Sequence, residues 1–348
     1  MNAVFRLNIN RDIGTGHFFR CKTLAIKLKS QGYDIYFICN HEAETFVKGQ
    51  NLHSEYSFYF LKSDSNEINE LDEIISFIQK LKSPLILFLD SYSHTINWEK
   101  NIFPHVTLFI VLDDLGNKKH YSHFIIDPTY GRESTDYKSD YININALTGT
   151  KFAILPDEYR VERQKINPDK LSDFSQFNIH VFFGGVDSNN LTLTFSKYLL
   201  ELSSNIKLHI VTGPLYLEIK SIQKLIIDFP SRIIHSHNTN KMWETFGTCN
   251  LAVGAPGITT WERAALGIPS IYLDIIENQK DILIQLQAAG LCEYLGSAKS
   301  MSQEIFYAKI KPIISNTEKL NSIRKNSLLA VDANGVNRII EKITGALK

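Results

Sequence analysis

What most constrains this chain is a pattern that runs through it twice, in which short β-branched or aromatic apolar runs alternate with segments carrying apolar residues at helical spacing. In the first half, strands are expected at Val4–Leu7, Ile35–Cys39, Ser57–Leu61, Leu85–Leu89, Thr107–Leu112 and Phe124–Ile126, with helices near 17–31, 42–49 and 66–81. The pattern loosens between 128 and 176, where Pro128, Gly131, Pro156, Pro168 and a polar run from Glu162 to Ser175 interrupt it. It then resumes. Strands fit Ile179–Phe183, Leu208–Val211, Arg232–His235, Leu251–Val253 and Ser270–Leu273. Helices fit 188–203, 216–228, 239–247, 259–266, 279–289, 302–314, 316–330 and 336–346. Apolar runs of this kind are buried on both faces, which calls for parallel sheets covered by helices. A length of 348 residues suits two such domains. The expected fold is α/β, with two Rossmann-like domains whose parallel sheets face an interdomain cleft. Their bounds are 1–160, a linker at 161–176, 177–330, and a C-terminal helix over 331–348 expected to pack back on the first domain.

Ligands of such sheets collect at the carboxyl ends of the strands. The stretch Gly14-Thr15-Gly16-His17-Phe18-Phe19-Arg20 follows the first strand and opens a helix on which Phe18, Cys21, Ala25 and Leu28 form one face. Its glycines admit a tight turn, and the helix start favours an anion. The same field disfavours an imidazolium, so His17 is expected to be neutral and able to accept a proton. A helix-capping turn with a surface histidine fits that turn equally well. Asp90-Ser91-Tyr92 and Asp113-Asp114 also follow strands and should share its rim.

In the second half, Gly184 and Gly185 end a strand, Asp187 precedes a helix, and Gly213 ends another strand. The richest loop is Gly254-Ala255-Pro256-Gly257-Ile258-Thr259-Thr260-Trp261-Glu262-Arg263. Gly257, Thr259 and Thr260 suit a pyrophosphate at a helix start, and Glu262 suits two ribose hydroxyls. For Glu262 the alternative is simple favourable placement near a helix N-terminus. Glu277-Asn278-Gln279 follows the next strand and is expected to reach the same ligand.

These residues, in this order, resemble the UDP-sugar hydrolases of pseudaminic acid biosynthesis, which are relatives of the lipid II glycosyltransferase of peptidoglycan synthesis. The resemblance rests on Ile13-Gly14-x-Gly16-His17-x-x-Arg20-Cys21 with Leu24-Ala25, Asp90-Ser91-Tyr92, Leu112-Asp113-Asp114 and Ile126-Asp127-Pro128. Gly131-Arg132, Tyr137, the Leu147–Tyr159 segment and Phe183-Gly184-Gly185 with Asp187 extend it. Thr259-Thr260-Trp261-Glu262-Arg263, Gly267-x-Pro269-Ser270 and Glu277-Asn278-Gln279 complete it. It implies a GT-B-like fold. It also implies metal-independent release of UDP from UDP-2,4-diacetamido-2,4,6-trideoxy-β-L-altrose, by water attack at the anomeric carbon. His17 falls at the general base, Tyr92 at an active-site tyrosine, Asn278 at a polar ligand contact and Glu262 at a ribose-binding carboxylate. Asn8, Gly14, Gly16, Arg20, Gly184, Gly185, Asp187, Gly213, Gly257, Thr259, Thr260, Glu277 and Gln279 are the remaining expected substrate or UDP contacts.

Two departures stand at the site. Asn8 replaces a carboxylate usual after the first strand, and Pro256 and Ile258 alter a loop that commonly reads Gly-Ala-Gly-Gly-Ser. Three functions therefore stay open: hydrolase, glycosyltransferase on the same fold with an acceptor hydroxyl, and non-catalytic sugar-nucleotide binding protein.

Composition removes other classes. Lys plus Arg equals Asp plus Glu at 37 each, which lacks the basic footprint of a nucleic-acid binder. No apolar run is long enough to span a bilayer, and Arg6, Asn8, Asn10, Arg11 and Asp12 break up any signal-peptide core. Cys21, Cys39, Cys249 and Cys292 are scattered through apolar stretches and read as reduced thiols of a cytoplasmic protein. His235-x-His237 lacks a nearby third ligand, Asp113-Asp114 reads as a turn or cap before it reads as a Mg²⁺ site, and no P-loop lysine suggests an ATPase. No cofactor or metal is expected, and a monomer is.

Overall fold

The protein is described by a computed structural model that covers residues 1–62, 67–81, 83–137 and 143–347. The chain forms two units: Met1–Leu155 together with the segment from Asn334 onward, and Pro156–Ala333.

The first unit holds a parallel sheet of β1 (Asn2–Leu7), β2 (Asp34–Cys39), β3 (Ser57–Phe60), β4 (Leu85–Asp90), β5 (Leu108–Leu112), β6 (Phe124–Asp127) and β7 (Asn145–Thr148). Their order is β3-β2-β1-β4-β5-β6-β7, so the chain reverses its winding direction between β1 and β4. Both of these central strands are buried along their whole length. The helices α1 (Gly16–Ser30), α2 (Ala43–Gly49), α3 (Glu67–Ile78) and α4 (Ile96–Ile102) accompany the sheet. The expected start of α3 at Asn66 lies outside the described residues.

A row of rings explains how α1 is seated. Phe88, Phe5, Phe37 and Phe58 are in register on β4, β1, β2 and β3. Their centroids are 4.5, 5.3 and 5.2 Å apart and stacked. Phe18 of α1 packs 5.6 Å from Phe37, adding aromatic contact to the area it buries. This docking fixes the first turn of α1, and hence His17, over the ends of β1 and β4. It also places Phe18 and Tyr56 in the core.

The second unit has β8 (Phe177–Phe182), β9 (Ile206–Thr212), β10 (Ile233–His237), β11 (Leu251–Gly254), β12 (Ser270–Asp274) and β13 (Glu293–Ser297), in the order β10-β9-β8-β11-β12-β13. The winding reverses between β8 and β11, at the place that matches β1 and β4. Its helices are α5 (Asp157–Gln164), α6 (Leu191–Leu202), α7 (Ile219–Asp228), α8 (Met242–Thr245), α9 (Ile258–Ala265), α10 (Lys280–Ala288), α11 (Gln303–Ile314) and α12 (Thr317–Ala330). A last helix, Gly335–Gly345, packs in the first unit, where Arg338 donates to the Lys151 carbonyl at 2.8 Å.

The strands absent from the sequence reading, β7 and β13, are the outer strands of their sheets. An edge strand has one neighbour and one well-covered face, so Asn-Ala-Leu-Thr and Glu-Tyr-Leu-Gly-Ser carry no continuous apolar run. The helix α5 occupies part of the expected linker. Its polar sequence hides Tyr159, which is fully buried, and Arg163, which donates to the Ala265 and Leu328 carbonyls at 2.9 and 2.5 Å.

Candidate active site

The two points where the winding reverses gather most of the expected site residues. In the first unit, α1 places His17 and Arg20 one turn apart on a single face, and Asp90 is the last residue of β4. The three side chains meet there. His17 Nδ1 lies 2.5 Å from Asp90 Oδ1. Arg20 grips the same carboxylate in bidentate fashion, with Nε to Oδ2 and Nη2 to Oδ1 both at 2.5 Å. Its Nη1 donates to Asp114 Oδ2 at 2.7 Å, and the Tyr92 hydroxyl donates to Asp114 Oδ1 at 2.7 Å. The Tyr92 ring meets the His17 ring edge-on, with centroids 4.9 Å apart.

Burial alone would raise the Asp90 carboxyl, but Arg20 and His17 overcome it and hold it well below the usual carboxylate range. Asp90 is therefore an acceptor, toward which His17 Nδ1 and the Arg20 guanidinium both turn. Against burial, Asp90 and Asp114 keep the Arg20 guanidinium charged. Partial burial and the Asp114 charge push the Tyr92 phenol up, so it stays protonated. Arg20 is thus committed to organising the site by its contacts with two carboxylates.

Asn8, at the same rim, accepts from Arg6 Nη1 at 2.6 Å. Arg6 is in turn held by Glu70 at 2.6 and 2.9 Å. Because Asp90 orients His17, the uncharged Asn8 leaves that orientation intact. Gly14 has φ +82 and closes the turn before α1 by donating to the Asn10 carbonyl at 2.9 Å, and Gly16 is the first residue of α1.

Asp113 and Asp114 are engaged rather than open to a metal. Asp113 accepts from the Leu115 and Gly116 N–H groups at 2.9 and 3.1 Å, which shapes the turn that presents Asp114. Behind it His120 bridges Glu99 at 2.7 Å and Asp113 at 3.2 Å, and these two carboxylates push it up to about 9 against burial. Among the described residues no group of three or more His, Cys, Asp or Glu side chains is placed to hold a metal ion.

In the second unit, two glycine turns follow β8 and β11, and they end differently. After β8, Gly184 and Gly185 lead to Asp187, whose oxygens accept from the Leu191 and Thr192 N–H groups at 2.8 Å each. The start of α6 is thus already occupied by a carboxylate. Gly213, at the end of β9, packs on this turn so closely that a Cβ there would fall 2.3 Å from the Gly185 carbonyl oxygen.

After β11, the loop enters α9 with no acidic residue in its first turn. Gly257 N–H donates to Thr260 Oγ1 at 3.1 Å, so that hydroxyl braces the loop. The N–H groups of Ile258 and Thr259 stand at the helix start, where an anion is favoured. Glu262, 8% exposed, has Oε2 without a hydrogen-bond partner among the described residues. Burial pushes its carboxyl up to about 7, against the opposing pull of the Tyr159 hydroxyl and Arg263. Glu277 and Asn278 are exposed in the turn after β12. Gln279 accepts from Ile275 N–H at 2.8 Å and donates to the Pro256 carbonyl at 3.4 Å, tying this turn to the loop before α9.

Asp90 and Asp114 are expected at the His17 rim without an assigned role, and Tyr159 and Arg263 only as members of the matching segments. The available signal for Asp90 is its position at the end of an apolar strand, which becomes meaningful once β4 is known to lie beside β1.

No protein-family model matches the chain. Among curated proteins, it is 25% identical over 279 residues to the uncharacterized protein MJ1062 of Methanocaldococcus jannaschii, a match covering 78% of this chain and 55% of that relative's length. It is 25% identical over 335 residues to the spore coat polysaccharide biosynthesis protein SpsG of Bacillus subtilis, covering 94% of this chain and 93% of SpsG. Among solved structures, MurG of Acinetobacter baumannii superposes with TM-score 0.68 at 13% identity, covering 99% of this chain and 100% of that one. The spinosyn rhamnosyltransferase SpnG complexed with thymidine diphosphate gives 0.65 at 13% identity, covering 98% and 99%. UDP-GlcNAc 2-epimerase of Neisseria meningitidis bound to UDP-GlcNAc gives 0.63 at 13% identity, covering 99% and 100%. With these likenesses across nearly the whole chain, the two parallel-sheet α/β units constitute a GT-B-like fold.

Proposed function

We propose that the protein is an enzyme that transfers a glycosyl group from a nucleotide sugar to an O–H nucleophile. The second unit binds the nucleotide and the first supplies the base. The observation that carries this reading is the His17–Asp90 pair at a strand-end rim, whose carboxylate fixes the imidazole through Nδ1.

The nucleophile's oxygen attacks the anomeric carbon and its proton passes to His17 Nε2. The anomeric C–O bond breaks, and the diphosphate leaves with the electron pair. A nucleoside diphosphate is a good leaving group, so no strong acid is needed at the departing oxygen. The start of α9 meets the charge that develops there. Asp90 stabilises the imidazolium that forms, and Arg20 and Asp114 hold Asp90 and Tyr92 in place. Glu262 accepts from the ribose hydroxyls.

A sugar or other organic hydroxyl is the acceptor we assign first. The fold is shared with a rhamnosyltransferase, and the relative SpsG is named for polysaccharide biosynthesis. Water as acceptor is the second reading. It is favoured by the ordered run of residues from Ile13 to Gln279 that resembles the UDP-sugar hydrolases of pseudaminic acid biosynthesis.

An NMR time course separates the two. Wild type and His17→Ala are incubated with UDP-2,4-diacetamido-2,4,6-trideoxy-β-L-altrose and with a panel of UDP- and dTDP-sugars, with and without hydroxyl acceptors and EDTA. Nucleotide release only with an acceptor supports transfer, and release of free sugar without one supports hydrolysis. Either activity should persist in EDTA and be lost in His17→Ala. Binding with no turnover in any mixture would overturn the enzymatic reading.

A further inference from the structure

We propose that Arg263 is a positioning residue for phosphate, a buried cation acting through the glycine loop on an anion held at the start of α9. This deepens the nucleotide-binding reading above, on which it rests, by naming the buried charge that favours a phosphorylated ligand.

Arg263 is 0% exposed. A guanidinium stays protonated in a protein, so a full positive charge is buried here. Among the described residues its Nε and Nη1 have no hydrogen-bond partner, and Nη2 reaches the Phe182 carbonyl at 3.3 Å. The group lies over the Tyr272 ring, 5.4 Å from its centroid. A charge desolvated in this way is strongly unfavourable unless something offsets it. The neighbouring Glu262 carboxyl, which interacts with this charge, is kept partly protonated near neutral pH by burial, so it offsets the charge only in part.

The location supplies the rest of the argument. A Cβ on Gly254 would fall 2.7 Å from Arg263 Nη2 and 2.0 Å from the Phe182 carbonyl oxygen. The guanidinium therefore lies directly against the backbone where β11 runs into the loop before α9, and only glycine admits it there. No acidic side chain stands in the first turn of α9, so the field of Arg263 and that of the helix end add without local cancellation. At the start of α6, by contrast, Asp187 already neutralises the helix end. Away from water such a field reaches over several ångströms. Together, the buried charge with unused donors and the open helix start select an anion at α9.

The test compares UDP with uridine by isothermal titration on the full-length protein, using wild type, Arg263→Met and Arg263→Gln. The readout is the ratio of the uridine Kd to the UDP Kd, which isolates the phosphate's share of binding. We expect each variant to lower that ratio about tenfold, with uridine binding changed much less. If either folded variant weakens both ligands by the same factor, Arg263 is only a packing residue and the proposal fails. Gln keeps much of the side chain's volume and polarity, so it remains informative where the Met variant does not fold. Binding of neither ligand by wild type would instead overturn the nucleotide-binding reading.

Discussion

The strand ends of the two units share one topology and treat their charges in opposite ways. At β1 and β4, Asp90, Arg20, Asp114 and Tyr92 engage one another, and His17 keeps one nitrogen free. At β8 and β11, Glu262 and Arg263 are buried with polar atoms that lack partners. A base must be held in one orientation before the ligand arrives, because misplacement weakens proton transfer steeply. A binding site needs donors and acceptors that a ligand, rather than the protein, will satisfy.

The contrast extends to pH. The Asp90 carboxyl is held below its ordinary value, so its contribution to stability is present above about pH 4 and is lost as pH falls further. The Glu262 carboxyl is raised from 4.5 to about 7, so its contribution is complete below 4.5 and is lost as pH rises through 7. The contribution of Asp90 is thus lost in acid and that of Glu262 in base, at equivalent places in the fold.

The largest expected effect breaks the first side of this comparison. Asp90→Asn should leave the side-chain shape but favour the wrong His17 tautomer, lowering kcat by roughly 10²–10⁴-fold with a smaller change in KM. Steady-state kinetics check this, and an unchanged kcat would remove Asp90 from the orienting role. Next, Glu262→Gln removes a carboxyl that burial penalises when charged. Denaturant unfolding at pH 8 should show a gain on the order of 2–3 kcal/mol, largely absent at pH 4, while nucleotide affinity falls. A loss of stability at pH 8 would mean that the charged carboxyl is satisfied within the protein.

The smallest effect sharpens the contrast between the two helix starts in the second unit. Asp187→Ala should lower stability by about 1 kcal/mol through the lost cap while UDP affinity changes little, as thermal melts and titration would reveal. A large loss of affinity would instead place the phosphate at α6. In the first unit, His120 is raised from 6.5 to about 9 by Glu99 and Asp113. Its contribution is therefore complete below 6.5 and lost as pH rises through 9, and His120→Gln should flatten that alkaline decline in Tm.

Much of this architecture is legible in the residues alone. Inner strands such as β4 and β12 carry apolar runs, Leu85–Leu89 and Ile271–Leu273, because they are buried on both sides, and that pattern is local. The glycine turns before α1 and α9 are equally local, since φ +82 at Gly14 and +154 at Gly257 demand that residue type. The edge strands β7 and β13 and the helix α5 escaped the reading because none carries a continuous apolar run.

Pairing was decided only by the tertiary structure. Asp90 and His17 are 73 residues apart, and they meet because parallel β1 and β4 are neighbours while Phe18 seats α1 above them. Asp187 and the Gly257 loop look alike in sequence, but a carboxylate bends back onto one helix start and none reaches the first turn of the other. Motif chemistry follows from residue type and local backbone. Whether a charge is spent within the protein or kept for a ligand depends on which distant side chains the folded sheet brings within hydrogen-bonding distance.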